Sequence, residues 1–398
     1  SLLAAAGALA MTQPAISKSI QELESQLGGA LFVRGKRGVQ LTEFGRRFEP
    51  HAAHMLAELR QLAETLNATH AGTRGQVVVG TLISASAALL PEAIRLVSGP
   101  GCPVCVTAQE DIAAALDIAD QEDVIFTCFG DMMRVPCGNA SLYSLYESGR
   151  DIQLVTSPLD ALEIAKANPG RQVVYFAIGF ETTAPHTAAL IEAANNQKVE
   201  NISILNTHKT MPQALQALLS GQKKINALLC PGHVASVIGA NAFRFVPEKL
   251  NLPAAVSGFE AYEILAAVLK IIELCRYNRV DCVNMYPGVV TADGNRRAVE
   301  LMYRFMEPAD AVWRGLGIIK KSGLKLRREY ARFDALARFE ITHRKPEEPK
   351  GCICARILRG DKTPDEYARF GKDCTPDTPF GPCMVSSEGS CAAYYQYR

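Results

Sequence analysis

All twelve cysteines of this 398-residue chain fall between Cys102 and Cys391, and the first 101 residues contain none. That distribution divides the chain into parts of different chemistry. It also argues against a disulfide framework, which spreads cysteines evenly through a small domain. The thiols cluster instead, as a pair in Gly99-Pro100-Gly101-Cys102-Pro103-Val104-Cys105 and as five between Cys352 and Cys391. The opening Ser1-Leu2-Leu3-Ala4-Ala5-Ala6 lacks the basic region of a secretory signal. Clustered thiols in such a chain indicate metal or redox chemistry, and the expected location is the cytoplasm. Ser1 in place of Met points to a start that lies upstream or was processed. The length allows roughly two to four domains with large cores. A formal net charge of +1 creates no global field toward nucleic acid or membrane, so any such attraction is local. Apolar runs such as Val173–Gly179 are far too short to span a bilayer, and no membrane partner is expected.

The cysteine-free part reads as a DNA-binding segment. Residues 2–9 and 14–26 carry apolar side chains at helical spacing, with Ala10-Met11 at the turn between them. Thr12 suits an N-cap, and Pro14 suits a first turn, where its missing N–H costs nothing. A short helix, a tight turn and a second helix opening on small polar residues is the helix-turn-helix arrangement. The second helix offers Thr12, Gln13, Ser17 and Lys18 to bases and phosphates. Residues 31–42 have the pattern of a wing, with Arg34, Lys36 and Arg37 placed for phosphates, and residues 49–67 form a long amphipathic helix. This stretch resembles the LysR-type transcriptional regulators through Met11-Thr12-Gln13-Pro14-Ala15-Ile16-Ser17-Lys18 and through Arg37-Gly38-Val39 with Leu41-Thr42. The resemblance runs to about Ile94, taking in Gly75–Gly80 and Leu89–Ile94, where that family's effector domain begins. It implies DNA as a partner through residues 1–70. It also implies a first helix that would precede Ser1, and an effector domain that stops after one strand and part of one helix.

From about Arg95 apolar strands such as Val124–Cys128 and Val173–Ile178 alternate with helical patterns at 109–119, 158–167 and 186–195, the signature of parallel α/β layers. Gly179-Phe180-Glu181 and Gly258-Phe259-Glu260 each follow an apolar strand, and Phe129-Gly130-Asp131 follows another. An acid after a strand's carboxyl end faces the crevice where open α/β sheets bind ligands. Cys102 and Cys105 sit at a helix start, where the free N–H groups and dipole favour thiolate and hence disulfide exchange or soft-metal binding.

Six separated stretches resemble the hydrogenase maturation factor HypD family. They are Gly99–Cys105, Phe129–Pro136, Gly179–Pro185, Pro231–Val234, Trp313–Gly317 and Phe380–Gly389. The resemblance covers residues 95–398 and implies a scaffold on which the Fe(CN)2CO unit of [NiFe]-hydrogenase is assembled. The implied partners are a HypC-like chaperone and a HypE-like cyanide donor, and the implied cofactor is a [4Fe-4S] cluster in the C-terminal domain. Cys102 or Cys105 would suit low-spin iron, while Glu181 and His233 would steer protons or hold iron-bound ligands, with Asp131 and Glu260 as weaker candidates.

The family pattern spaces its cluster cysteines C-x14-C-x6-C-x16-C. Cys352, Cys374 and Cys391 take the first, third and fourth places, Tyr367 stands in the second, and Cys354 and Cys383 are candidate substitutes. The family's C-G-G-H-x-H segment has no counterpart before Arg95, which implies a first sheet short of a strand and weakened chaperone binding. Ala261 replaces a usual proline, and Asn284-Met285-Tyr286-Pro287-Gly288 replaces an Asn-Gln-Tyr-x-Arg run. Cys128, Cys137, Cys230, Cys275 and Cys282 read as inert thiols.

The expected fold is α/β: two Rossmann-like parallel-sheet units and a C-terminal iron–sulfur domain, preceded by an all-α winged helix-turn-helix segment. The expected divisions are 1–70 (winged helix-turn-helix and linker helix) and 71–94 (effector remnant and junction), then 95–200 and 201–300 (the two α/β units, the first incomplete) and 301–398 (cluster domain). Two other functions compete with the scaffold: a DNA-binding regulator whose second part senses iron or redox state, and a non-functional fusion product.

Overall fold

The computed structural model describes residues 17, 18, 20, 21, 24, 25, 28–35, 38–46, 48, 77–81, 94–220, 224–341, 346 and 351–397. The chain divides into two compact units, Ser1–Gly75 and Gln76–Arg398. In the first, β1 (Phe32–Gly35) and β2 (Gly38–Leu41) form an antiparallel hairpin within the stretch expected to be a wing. Glu24 fixes the approach to it, because one carboxylate oxygen accepts from the backbone N–H of Leu31 (2.6 Å) and of Phe32 (3.0 Å). Thr42 then caps the following helical turn, its hydroxyl accepting from Gly45 N–H at 2.9 Å. The helices expected at 2–9 and 49–67 lie outside the described residues.

The second unit holds two parallel sheets. One runs β6-β5-β7-β8, with β5 Val124–Cys128, β6 Ile152–Leu154, β7 Gln172–Ala177 and β8 Ile202–Asn206. Its inner strands are apolar on both faces because helices cover both. Ile125, Val173, Tyr175 and Ala177 face the helices at Pro158–Ala167 and Ala184–Asn196. Val124, Phe126, Val174 and Phe176 face a second core that continues into the rest of the unit. Both helices start with proline in the first turn, and Ser157 caps the first through a reciprocal bond with Asp160.

The other sheet runs β11-β10-β9-β3-β4, with β3 Val77–Thr81, β4 Ile94–Ser98, β9 Ala227–Pro231, β10 Ala254–Ser257 and β11 Cys282–Asn284. Two expectations are corrected here. The segment taken for an effector remnant supplies β3, which lies between β4 and β9. Nor does residue 200 separate the sheets. β8 completes the sheet begun by β5, while β3 and β4 join strands more than a hundred residues downstream. Parallel strands need crossovers, and this chain uses the entire first sheet as one long excursion between β4 and β9.

An antiparallel hairpin, β12 (Met306–Trp313) and β13 (Gly317–Leu326), follows. Trp313 is fully buried, stacks on Phe180 at 6.1 Å and donates its indole N–H to Ser322 Oγ at 2.7 Å. The remaining residues, from Cys352 on, form short helices whose apolar faces and thiols join the shared core. Among the described residues no helix is long and apolar enough to cross a membrane.

Candidate functional site

Parallel sheets place the loops after their strands' carboxyl ends on one edge. Here the edges of both sheets open onto one cleft of about 580 Å³. Phe129 and Asp131 follow β5, Gly179 and Phe180 follow β7, His233 follows β9 and Phe259 follows β10, and all line it. The internal echo noted in the sequence thus corresponds to equivalent positions on two sheets. Gly179 has φ of +137°, and a Cβ there would sit 1.7 Å from Thr183 Oγ1, so only glycine lets the loop close against the helix.

His233 is exposed to the cleft and stacks on Phe259, with ring centroids 3.8 Å apart at 22°. Desolvation lowers its pKa against the opposing pull of Glu263, which favours a neutral imidazole at physiological pH. Asp131 accepts from Ser386 Oγ at 2.7 Å, and Arg134 donates to the carbonyls of Pro376 (3.0 Å) and Asp377 (3.2 Å). The loop after β5 is thereby tied to the cysteine-rich C-terminal segment. Glu388 joins Asp131 in the cleft, its pKa raised by burial and then by the Asp131 charge. Ser386, Glu388 and the cleft residue His186 were not singled out from sequence; only chain segments far apart meet to define their roles.

Glu181 is placed differently from expectation. Its carboxyl turns away from the cleft, 2 % exposed, and both oxygens face the backbone N–H of Met211 (2.9 and 3.2 Å). Met211 is the first residue of the helix Met211–Leu219, which has no side-chain cap, so its N–H needs an acceptor. The loop Thr207–Thr210, buried throughout, clasps the same region: Lys209 N–H donates to Gly179 O at 2.9 Å, and its ammonium meets Asp111 at 3.4 Å. That loop went unnoticed in the sequence. Its signal was the polar run Thr207-His208-Lys209-Thr210 between the strand Ile202–Asn206 and Met211-Pro212.

Burial raises the Glu181 pKa to about 7, against hydrogen bonds from its own and the Met211 N–H that lower it. An acid whose folded pKa exceeds its unfolded one takes up a proton on folding. Its charge therefore costs nothing below the unfolded value of 4.5, costs more as pH rises from there, and costs most above about 7. Glu181→Gln is expected to match the parent in acid and to melt higher above neutrality. Thermal unfolding from about pH 4 to about pH 8 checks this; a lower melting temperature in base would show that the charge on the helix terminus outweighs its burial.

Cys102 caps the helix Pro103–Val106 through its sulfur, which accepts from Cys105 N–H at 3.1 Å. The two cysteines are joined as a disulfide and lie just behind the cleft wall formed by Gly101, Pro103 and Val104. Arg314, after β12, holds this turn by donating its N–H to Val106 O at 3.0 Å.

Cys352, Cys354, Cys374, Cys383 and Cys391 line one small cavity together with Tyr367. Cys354 and Cys383 touch, with sulfurs 2.7 Å apart. Gly381 passes so close to Cys352 that a Cβ there would lie 2.9 Å from its sulfur. Burial pushes the Cys352 thiol up to about 11, and burial with the neighbouring thiols raises Cys391. The Tyr367 hydroxyl is buried with no hydrogen-bond partner. Among the described residues no three His, Cys, Asp or Glu side chains gather tightly enough for a single metal ion. The thiols thus surround one small cavity, their pKa values raised by burial and by one another.

Thr12 and Gln13 lie outside the described residues; Ser17 and Lys18 are helical, half-buried and exposed respectively, and Arg34 lies on β1.

These features define an α/β protein with a two-sheet cleft, a C-x-x-C cysteine pair behind its wall and a thiol-lined cavity near its C-terminus. The chain belongs to the HypD family, whose model, described as hydrogenase formation, matches residues 57–398. Residues 1–46 match the bacterial regulatory helix-turn-helix protein, lysR family. Hydrogenase maturation factor HypD2 of Bradyrhizobium diazoefficiens is 42% identical over 318 residues, covering 78% of this chain and 84% of that protein. HypD of Azotobacter vinelandii is 41% identical with the same coverages. A putative hydrogenase expression/formation protein of Methanocaldococcus jannaschii is 40% identical, covering 78% and 86%. Among solved structures a Corynebacterium glutamicum OxyR C206 mutant aligns with 42% of this chain and 40% of its own at 18% identity and a TM-score of 0.16.

Proposed function

We propose that the chain is a cytoplasmic assembly scaffold for the Fe(CN)2CO unit of [NiFe]-hydrogenase, working with a HypC-like chaperone and a HypE-like cyanide donor. The observation that carries this reading is the family match over residues 57–398, which spans the cleft, the cysteine pair and the thiol-lined cavity together. In this reading the iron unit is cargo, held at the cleft beside Cys102 and Cys105. Reduced, that pair offers two soft thiolates at a helix start, suited to low-spin iron. His233, neutral and fixed against Phe259, accepts a proton at its ring nitrogen or donates to an iron-bound ligand. Glu388 holds a proton more readily than a free carboxyl does and is placed to pass it into the cleft.

A [4Fe-4S] cluster held by Cys352, Cys374 and Cys391, with Cys354 or Cys383 as fourth ligand, would supply single electrons. Three tests bear on this. Expressed in cells lacking their own HypD protein, the chain is expected to restore hydrogenase activity only in part, because the missing N-terminal motif weakens chaperone binding, and Cys102→Ala is expected to abolish it. Iron and acid-labile sulfide after anaerobic reconstitution should approach about four each per chain and fall in Cys354→Ala or Cys383→Ala. Absence of both complementation and iron in folded protein would overturn the scaffold reading. The match of residues 1–46 supports a second role, operator binding by the first unit, which a mobility-shift assay on DNA upstream of its own gene would test.

A further inference from the structure

Asp131 and Glu388 line the cleft from distant parts of the chain, and one buried hydroxyl bonds to both residues. Ser386, fully buried, donates through Oγ to an Asp131 carboxylate oxygen at 2.7 Å. The same Oγ accepts from the Glu388 backbone N–H at 3.3 Å. The backbone of Ser386 leaves it little freedom. Its N–H donates to Pro382 O at 3.2 Å, and its carbonyl accepts from Gly389 N–H at 2.9 Å. Gly389 passes so close inside this turn that a Cβ there would lie 2.2 Å from Cys383 O.

That geometry makes the two carboxyls unequal. A hydroxyl has one proton to give, and here it goes to Asp131, because the Glu388 N–H occupies the acceptor side of the same oxygen. A carboxyl oxygen that accepts such a bond is favoured in its ionised form. The Glu388 carboxyl takes no bond from Ser386, and burial and then the Asp131 charge favour its protonated form. The other titratable side chains on the cleft wall, among the described residues, are His186 from the helix Ala184–Asn196 and His233 after β9. Desolvation lowers the pKa of His233, and Arg134 is engaged by the carbonyls of Pro376 and Asp377. The flanking thiols have raised pKa values, Cys383 through its contact with Cys354 and burial, Cys391 through burial, and carry no charge.

We propose that Ser386 is a positioning residue that holds these carboxyls as an acid–base pair, with the proton on Glu388 and the charge on Asp131. Two carboxyls in one site become acid and base when their surroundings differ, and the direction of a single hydroxyl supplies that difference here. The roles are then assigned before any cargo enters. This rests on the reading of the cleft as the place where protons are passed to the cargo, but its test needs no cargo and no hydrogenase.

The test follows the carboxylic-acid C=O band of the full-length, anaerobically purified protein by infrared spectroscopy through a pH titration, with and without isotope-labelled aspartate carboxyls. Above the pH at which exposed carboxyls have ionised, the parent should keep a contribution that Glu388→Gln removes and that the aspartate label leaves in place. Glu181 also holds its proton there, but it is common to all the variants and cancels in the differences. In Ser386→Ala most of the contribution should move with the aspartate label and be lost when Asp131→Asn is added. Ser386→Thr, which keeps the hydroxyl, should behave as the parent. Asp131→Asn alone, at an exposed position, should lower the pH at which the Glu388 contribution disappears by roughly one unit, and decides the matter even if Ser386→Ala does not fold. A contribution that moves with the aspartate label in the parent, one that survives Glu388→Gln, an unchanged spectrum in Ser386→Ala, or an unchanged titration in Asp131→Asn would each overturn the proposal.

Discussion

Val79→Pro is expected to prevent folding of the second unit, whereas removal of residues 1–75 is expected to leave that unit folded. Val79 is in register with Leu96 on β4 and with Ala227 on β9, so it lies inside the sheet rather than at an edge. In a parallel interior strand each N–H is committed to one neighbour or the other, and proline has none to give. The orphaned carbonyl alone costs about 1–3 kcal/mol. The ring also clashes with the ladder, and loss of β3 would separate β4 from the rest of its sheet. Against a total stability of roughly 5–15 kcal/mol, that combination is decisive. Circular dichroism melting and limited proteolysis of both proteins make the comparison. If Val79→Pro melted within a few degrees of the parent, β3 would not be a structural strand and the sheet would tolerate its absence. If the shortened chain failed to fold, the first unit would contribute stability that the division at Gly75 does not suggest.

The same strand marks where sequence reasoning stopped. Val77–Thr81 is an apolar run that fits any parallel sheet, and its partners lie both immediately downstream and at Ala227. Register across such a distance leaves no local trace, and taken locally the segment resembles only the regulator pattern. The cleft was more legible. Gly179-Phe180, Phe259, Asp131 and His233 announce themselves because a parallel sheet sends every post-strand loop to one edge, whatever the strand order. Glu181 shows the limit of that rule. It follows its strand as expected, but the unpaired N–H of Met211, thirty residues on, draws its carboxyl inward. Position along the chain was readable, and side-chain direction was not. The thiols divide in the same way. The spacing of Cys102 and Cys105 placed them at a helix start. That Cys354 and Cys383 would touch depends on packing that no spacing encodes.

Tyr367→Cys is expected to strengthen iron–sulfur binding markedly. The Tyr367 ring is 6 % exposed, shares its cavity with five cysteines, and its hydroxyl has no partner. Burial and the surrounding thiols push its pKa up to about 12, so it stays neutral at physiological pH and is a poor ligand for iron. A cysteine at this position would add a thiolate to Cys352, Cys374 and Cys391 without displacing Cys354 or Cys383. Two measurements should then move in opposite directions. Without iron, the variant should be less stable than the parent, because exchanging a buried aromatic ring for a thiol opens a void worth about 2–4 kcal/mol. With iron and sulfide, it should retain about four of each per chain and lose them to oxygen roughly tenfold more slowly than the parent. The Cys374→Ala change in the same background should reverse the gain. A variant that bound no more iron than the parent, while Cys354→Ala still emptied the parent, would mean that Cys354 already completes the ligand set and that position 367 only fills space.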